Sequence, residues 1–408
     1  MSEQYFDALE TRSAEQRAED MARDLPEQIA HAKANAKGYA EMLADIDPAG
    51  VTDRSALAKL PVMRKANMVV GDDGEMPIKR FIARPFNEIE HVFQSPGPIY
   101  EPGMTSHDWW RWGRALKAMG IGKGDLVQNT FSYHFTPAGM MFETAARAVG
   151  ATVIPAGTGQ TELQATAMAA MGVTAYAGTP DYLKAILEKG EEMGLDMSRV
   201  KRAAVSGGPL FPQLRDEYDS RGIICRQSYG TADVGHIAYE TMALDGMVCD
   251  EKVIVEIVTP GTGNPVAEGE VGEVVVTNFN RDFPMVRFAT GDLSAVLPGE
   301  SPCGRTNMRI VGWRGRADQA TKVKGMFVRP EQVATLVERY DSIKKARVIV
   351  NHDGSSDHMH VKIESSEADI NGIDESIRDI LKLRATVEWL KPGELPNDGL
   401  VIEDQRQL

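Results

Sequence analysis

Three cysteines in 408 residues, Cys225, Cys249 and Cys303, are too few and too scattered for a disulfide framework. No two form a Cys-x-x-Cys pair, so a reduced compartment, the cytoplasm, is expected. No stretch of about 18 apolar residues occurs, which excludes a helical membrane span. The amino terminus, Met1-Ser2-Glu3-Gln4-Tyr5, has no basic-then-apolar leader pattern. Long basic runs are also missing, and the net charge is -14. A nucleic-acid binder would need such a run, so nucleic acid is not an expected partner, although a local basic pocket could still take an anionic small molecule. Aromatics make up only 7% of the chain, which makes their clusters worth locating.

The chain does have a soluble-type composition, 42% hydrophobic and 25% charged, with 38 glycines that favour turns and backbone-lined sites. The length exceeds one ordinary core. The most telling stretch is Gln227-Ser228-Tyr229-Gly230-Thr231-Ala232-Asp233-Val234, which comes after the apolar Ile223-Ile224. An aromatic ring can stack on a base, glycine lets backbone approach closely, and a carboxylate can hold a divalent metal.

Charged, periodic residues 8–46 predict an outer helical layer, and 53–60 a short capped helix ended by Pro61. Prolines and glycines in 92–103 predict an irregular rigid loop, and Thr105 or Ser106 is expected to cap a helix through Trp109, Trp110, Trp112 and Leu116. From 120 to 250, strands at 125–129, 151–155, 174–177 and 202–206 alternate with helices at 137–149, 161–172 and 181–193. That alternation predicts an α/β domain with a mostly parallel sheet, whose ligand loops (129–136, 156–161 and Gly207-Gly208-Pro209) come directly after the strands. Residues 252–315 read as β-rich, with Met285-Val-Arg-Phe288 leading to Thr290-Gly291-Asp292. Beyond them lies a small α+β pattern: strand 320–324, helix 330–340, strands 345–351 and 357–364, helix 370–382 and strand 384–390. The expected division is 1–317 and 318–408.

Several motifs, in order, then resemble the phenylacetate–coenzyme A ligase branch of the AMP-forming adenylating enzymes, the acyl- and aryl-CoA synthetases. They are Ser228–Val234, Gly269-Glu-Val-Gly-Glu-Val-Val-Val-Thr277, Pro284-Met-Val-Arg-Phe-Ala-Thr-Gly-Asp292, Cys303-Gly-Arg-Thr306, and Gly315-Arg-Ala-Asp318 with Lys324-Gly325. The resemblance spans essentially the whole chain and implies the adenylating-enzyme fold with a small mobile carboxy-terminal domain. It implies ATP or AMP and CoA as substrates or ligands, Mg2+ for adenylation, a carboxylic acid or its CoA thioester as partner molecule, and a homodimer. By the same resemblance Tyr229 stacks on adenine, Gly207 and Gly208 line the base with Gly230 and Thr231 beside it, and Asp292 takes the ribose hydroxyls. Arg316 contacts ribose or phosphate, Asp318 is the hinge, and Lys324 and Gly325 approach CoA. Asp233 stands at the metal carboxylate, and Tyr133, His134 and Phe135 fall at the acyl pocket. His134, His236, Tyr133 and Asp233 are the candidate acid–base groups.

Three positions depart from the family pattern. The phosphate loop reads Gln94-Ser95-Pro96-Gly97-Pro98-Ile99-Tyr100, poor in hydroxyls and N–H donors. Ala232 replaces a phosphate-binding threonine, and Leu400 takes the slot of a carboxy-terminal lysine. The family's cysteine/histidine cluster is also incomplete, which argues against zinc. These departures leave two functions open beside an aryl- or arylacetyl-CoA ligase. One is ATP-independent hydrolysis, lyase chemistry or acyl transfer on a thioester, and the other is binding of nucleotide or CoA without turnover.

Overall fold

The computed structural model describes residues 5–69, 76–95, 99–317, 321–324, 326–352, 357–396 and 398–406. The chain clusters into two compact units. The first comprises 1–255, 276–288 and 297–312, the second 256–275, 289–296 and 313–408.

Among the described residues, nine strands of one sheet dominate the first unit. Thr152–Pro155, Leu126–Asn129, Ala175–Gly178, Arg202–Val205 and Ile224–Thr231 lie side by side and parallel, in that order. Gly235–Tyr239, Met247–Cys249 and Arg309–Ile310 continue the sheet antiparallel. The central strands are small and wholly buried (Ala175, Ala177, Ala203, Ala204), so crossing helices pack close on them. Helix Ala138–Ala148 places Met141, Phe142, Ala145 and Ala146 in the core. Helix Pro180–Glu192 begins with proline, whose missing N–H costs nothing there, and places Leu183, Ile186 and Leu187 in a second core. Because the five strands run parallel, the segments after them (130–136, 156–160, 206–208 and 232–234) emerge at one sheet edge. Chain direction thus assembles the candidate site.

Helix Ala14–Asn35 buries only its second half, through Leu25, Gln28, Ile29 and Ala32; Ala14 and Ala18 face solvent. A separate three-stranded sheet orders Val253–Val258, Gly272–Asn278 and Phe288–Ser294. All six residues of Val253–Val258 are buried, so both faces of that strand are covered rather than one. In the second unit, Thr386–Leu390, Asp357–Ser365, Ile343–His352 and Ile402–Asp404 form a four-stranded sheet. Helices Pro330–Glu338 and Ile373–Leu381 share a core with it, built on Leu336, Val348, Val350, Val361, Ile363, Ile377 and Leu381.

Three expectations need correction. Residues 92–103 hold most of an antiparallel hairpin, His91–Ser95 with Ile99–Gly103, rather than an irregular loop. Its one paired proline, Pro102, stands opposite Val92 next to the end of a two-stranded ladder, where each strand is an edge and a missing N–H is tolerated. The helix expected from Thr105 starts only at Gly113. Asp108 (φ 46°) and Arg111 (φ 68°) are left-handed, and the Asp108 carboxylate accepts the Gly113 N–H at 2.9 and 3.1 Å. Thr105 instead donates to Glu90 from both its N–H and its hydroxyl. Thr290-Gly291-Asp292 lies inside strand Phe288–Ser294. Strand Ile402–Asp404 has no counterpart in the expected pattern; it pairs parallel with Ile343–His352.

A buried ion network organises the first unit. Asp250, 1% exposed, faces Arg111 Nε at 3.3 Å, Arg114 Nε at 3.5 Å and His236 Nδ1 at 3.4 Å. Burial alone would raise its pKa. The His236 hydrogen bond and the arginine charges outweigh burial and hold the carboxylate well below its usual range. Glu10, 0% exposed, sits between Arg114 (2.9 Å) and Arg305 (2.7 Å). A depressed native pKa stabilises the fold above the unfolded carboxylate value and loses that effect as pH falls toward the native one. Asp250→Asn is therefore expected to cost roughly 3–5 kcal/mol at pH 7, as for one partner lost from a buried ion pair. Urea denaturation should show the gap between variant and wild type shrinking below about pH 4. A variant as stable as wild type at pH 7 would remove Asp250 from this role.

Candidate active site

Strand Ile224–Thr231 carries Tyr229, Gly230 and Thr231 within its ladder, and a bulge between Tyr229 and Gly230 shifts the register against Gly235–Tyr239. Bulges re-aim side chains, here just where a half-buried tyrosine ring meets the sheet edge. The strand is fixed from its flank: Ser206 Oγ donates to Ser228 O at 2.8 Å and Trp112 Nε1 to Ser228 Oγ at 3.0 Å. Gly230 has to be glycine, since a Cβ would collide with Trp112 and with Gly235 O. Gly207, at φ 72°, and Gly208 form the turn after strand Arg202–Val205, where a Cβ would sit in contact with Phe131, Thr179 and Pro180 at 3.5–3.8 Å. Gly207, Gly208, Tyr229, Gly230 and Thr231 are thus brought to one edge.

The turn beyond Thr231 is tied down. Val234 N donates to Thr231 Oγ1 at 3.1 Å, and Arg111 Nη2 donates to Val234 O at 2.6 Å and His236 O at 3.2 Å. Asp233 is 3% exposed. Lys65 Nζ lies 3.1 Å from its Oδ2. Glu101, on hairpin strand Ile99–Gly103, is 0% exposed, with Ser95 of the facing strand as its hydrogen-bonding neighbour. Burial first, and the Asp233 charge second, push the Glu101 pKa up to about 8, while nearby Ser95 and Lys65 act to lower it.

The acid–base candidates separate. His236 is sealed in the core against Trp112 and Asp250, and burial lowers its pKa, so it is a neutral ring packed behind the site. His134 is exposed, its N–H on Ser132 Oγ at 3.0 Å. Tyr133 is half-buried and accepts from Asn129 Nδ2 at 2.8 Å; burial, then the charge of Glu143, raises its pKa. Phe131 stacks on Phe142 inside the core, whereas Phe135 is 75% exposed. Gln94 N bonds Phe135 O at 2.8 Å, fastening the hairpin to this loop.

Asp292 and Arg316 belong to the second unit and meet there. Arg316 Nη1 lies 3.0 Å from Asp292 Oδ1, to which Trp313 Nε1 also donates at 3.1 Å. Lys324 is exposed at φ 47°, its N–H on Asp357 Oδ2 at 3.0 Å. Asp318, Gly325, Pro96 and Pro98 lie outside the described residues. Leu400 is held by local bonds: its N–H donates to Asp398 Oδ1 at 3.0 Å and its O accepts from Arg347 Nε at 2.9 Å. A cavity of about 590 Å³ in the first unit lies elsewhere, lined by Arg12, Arg17, Arg54 and Glu251 among others. Its arginines are engaged: Arg12 and Arg17 on Glu251, and Arg54 on Val255 O at 2.7 Å.

Sequence reasoning missed Lys65, Glu101 and Asn129. A signal existed for Asn129, a polar residue closing a parallel strand. Nothing local marked Lys65 or Glu101, because their proximity to Asp233 is made by tertiary packing.

Comparison with known proteins agrees with this arrangement. The family profile described as AMP-binding enzyme matches residues 104–280. A phenylacetate-coenzyme A ligase of Escherichia coli (strain K12) is 29% identical over 344 residues, 80% of this chain and 77% of that protein. One from Pseudomonas putida is 28% identical over 393 residues, 92% and 88% of the two chains. In fold, the chain is similar to 2-hydroxyisobutyryl-CoA ligase in an open conformation in complex with 2-HIB-AMP and CoA. The TM-score is 0.72 at 23% identity, covering 95% of this chain and 91% of the other. With the glycine turn, the Tyr229-Gly230 strand end and the buried Asp233 all at one sheet edge, the chain has the fold of 2-hydroxyisobutyryl-CoA ligase and is similar in sequence to AMP-binding enzymes over 104–280 and to phenylacetate-coenzyme A ligases over most of its length.

Proposed function

We propose that this protein is an AMP-forming acyl-CoA ligase acting on an aryl or arylacetyl carboxylic acid. The observation that carries the reading is the shared edge of Gly207-Gly208, Tyr229-Gly230 and Asp233, on a chain whose relatives are phenylacetate-coenzyme A ligases. The reading as an ATP-independent thioester enzyme gains no support from those relatives.

In the first half-reaction a substrate carboxylate oxygen attacks the α-phosphorus of ATP, giving an acyl adenylate and pyrophosphate. In the second, the CoA sulfur attacks the acyl carbon, releasing AMP and a thioester. Tyr229 offers a flat face to adenine. The Gly207-Gly208 turn lets backbone line the base where a side chain would fill the space. Asp292 offers paired acceptors to the ribose diol, with Arg316 beside it to contact ribose or phosphate. Asp233 would hold Mg2+, whose chemistry is to neutralise phosphate charge. Its buried oxygens, one of them 3.1 Å from the Lys65 ammonium, fit that role. Tyr133, His134 and Phe135 line the acyl side, and Tyr133 and Phe135 favour an aromatic acid. Residues 318–408, turning about Asp318, bring Lys324 and Gly325 to CoA. The protein is further proposed to work in the cytoplasm as a homodimer.

Pyrophosphate release is expected only with ATP, Mg2+ and a carboxylic acid, strongest among aryl and arylacetyl acids. No release across a broad panel of acids at millimolar concentration would end the ligase reading. For Tyr229→Ala, loss of base stacking is worth roughly 1–3 kcal/mol. Calorimetry should accordingly show AMP affinity reduced about 10- to 100-fold while the thermal midpoint stays near wild type. Unchanged AMP affinity would take the ring out of the base site.

A further inference from the structure

Arg226 is a buried cation without a counter-ion. It stands near the start of strand Ile224–Thr231, on the same strand as Tyr229, and is 7% exposed. Among the described residues its one hydrogen bond runs from Nη1 to Cys225 O, the carbonyl of its own chain neighbour, at 2.8 Å, and it makes no ion pair. Its Nε is buried with no partner among them. Buried charges are ordinarily paired, because a low-dielectric interior does not replace their hydration.

The surroundings add positive charge instead of cancelling it. Strand Gly235–Tyr239 pairs with Ile224–Thr231 only as far as Ser228, so Cys225 lies beyond the end of that ladder. Helix Pro212–Ser220 brings Arg215 to the gap, and Arg215 Nη1 donates to the same Cys225 O at 3.1 Å. Two guanidinium groups thus converge on one neutral carbonyl. The acid in contact with the pair, Glu240, is already committed. Its Oε1 accepts from Arg215 Nη2 at 2.7 Å and from Gln227 Nε2 at 2.9 Å, and its Oε2 from the Gln227 N–H at 2.9 Å. Burial first, and the Arg215 charge second, lower the Arg226 pKa, while Glu240 and Asp219 oppose them from beyond ion-pair distance.

Geometry identifies the missing partner. With Nη1 on Cys225 O, the Nε and Nη2 edge of Arg226 remains, and a guanidinium takes two oxygens of a carboxylate or phosphate group along such an edge. The cluster is too enclosed for a macromolecule: the side chains of Arg215 and Glu240 are 16% and 10% exposed. We propose that Arg226, with Arg215 beside it, forms a binding site for a small oxyanion of the phosphate or carboxylate type. It lies in the amino-terminal half of the strand whose other end carries Tyr229, Gly230 and Thr231. The site is distinct from the glycine turn and from Asp233, and it stands whether or not the protein is a ligase.

The test is thermal unfolding of the full chain near neutral pH, in about 50 mM inorganic phosphate against chloride of equal ionic strength, which holds screening constant. An anion that binds only the folded chain raises the midpoint. Phosphate also stabilises proteins through exclusion from their surface, an effect that variant and wild type share. Wild type is therefore expected to gain about 2–4 °C more from phosphate than Arg226→Met does. In chloride the Arg226→Met midpoint should equal or exceed that of wild type, since an unpaired buried charge has given way to an apolar side chain. Arg226→Lys keeps the charge without the planar fork, and isothermal titration calorimetry should show its phosphate affinity lower by at least about 10-fold. Acetate run beside phosphate separates the two sources: a gain in both assigns a carboxylate-accepting edge, a gain in phosphate alone a phosphate site. Equal phosphate gains in wild type and Arg226→Met would overturn the proposal. So would a midpoint for Arg226→Met in chloride well below wild type, which would mean that Arg226 has an internal partner, or unchanged phosphate affinity in Arg226→Lys.

Discussion

The turn that carries Asp233 depends on a carboxylate elsewhere. Asp250, fully enclosed, holds Arg111 through Nε, and Arg111 spends its other nitrogen on the carbonyls of Val234 and His236. The same carboxylate meets His236, whose ring packs on Trp112, and Trp112 donates to Ser228 beside Tyr229. A single buried charge therefore sets both sides of the bulged hairpin from which the site projects. Replacing such a group by well-packed apolar residues need not weaken a fold. An apolar cluster has no directional bonds, though, and would not dictate where two particular carbonyls point.

The parallel sheet supplies position and the antiparallel extension supplies the turn. Each of the first four parallel strands has four residues, so it is barely longer than the contact it makes with its neighbours. The residue after each strand is already at the sheet edge. Strand Ile224–Thr231 runs longer and then reverses, carrying Tyr229 to the edge and Asp233 into the reversal. The roles separate accordingly: glycine turns leave open space, the tyrosine ring fills part of it, and a buried carboxylate faces inward.

Much of this was legible in the chain. The strand and helix alternation from 120 to 250 stems from apolar periodicity, and it fixes a parallel sheet and hence the edge at which ligand loops gather. Tyr229, Gly230 and Asp233 were recognisable because their order is a local pattern. The hairpin at 91–103 was not, since proline and glycine read as loop signals wherever they occur. Only the register, with Ser95 opposite Ile99 and Pro102 opposite Val92, shows that a two-stranded ladder can carry them. The late helix start at Gly113 was hidden for a related reason. Two non-glycine residues, Asp108 and Arg111, adopt left-handed backbone that propensity argues against, held there by the Asp108 carboxylate and by the Arg111 contacts. Lys65 and Glu101 belong to a third class, residues whose neighbours are distant in sequence and whose burial no pattern encodes.

The charge pattern around Asp233 bears on how an adenylating enzyme could work with this sequence. Phosphate-loop hydroxyls and the carboxy-terminal lysine are positive or donating groups in the pattern this chain resembles, and here proline, isoleucine and leucine stand in their places. The Leu400 segment is not waiting for a missing partner, because Arg347 and Asp398 already satisfy its backbone. Charge for a polyphosphate therefore has to come from groups at the site edge. Lys65, its side chain 39% exposed and its ammonium 3.1 Å from Asp233, is such a group in the first unit.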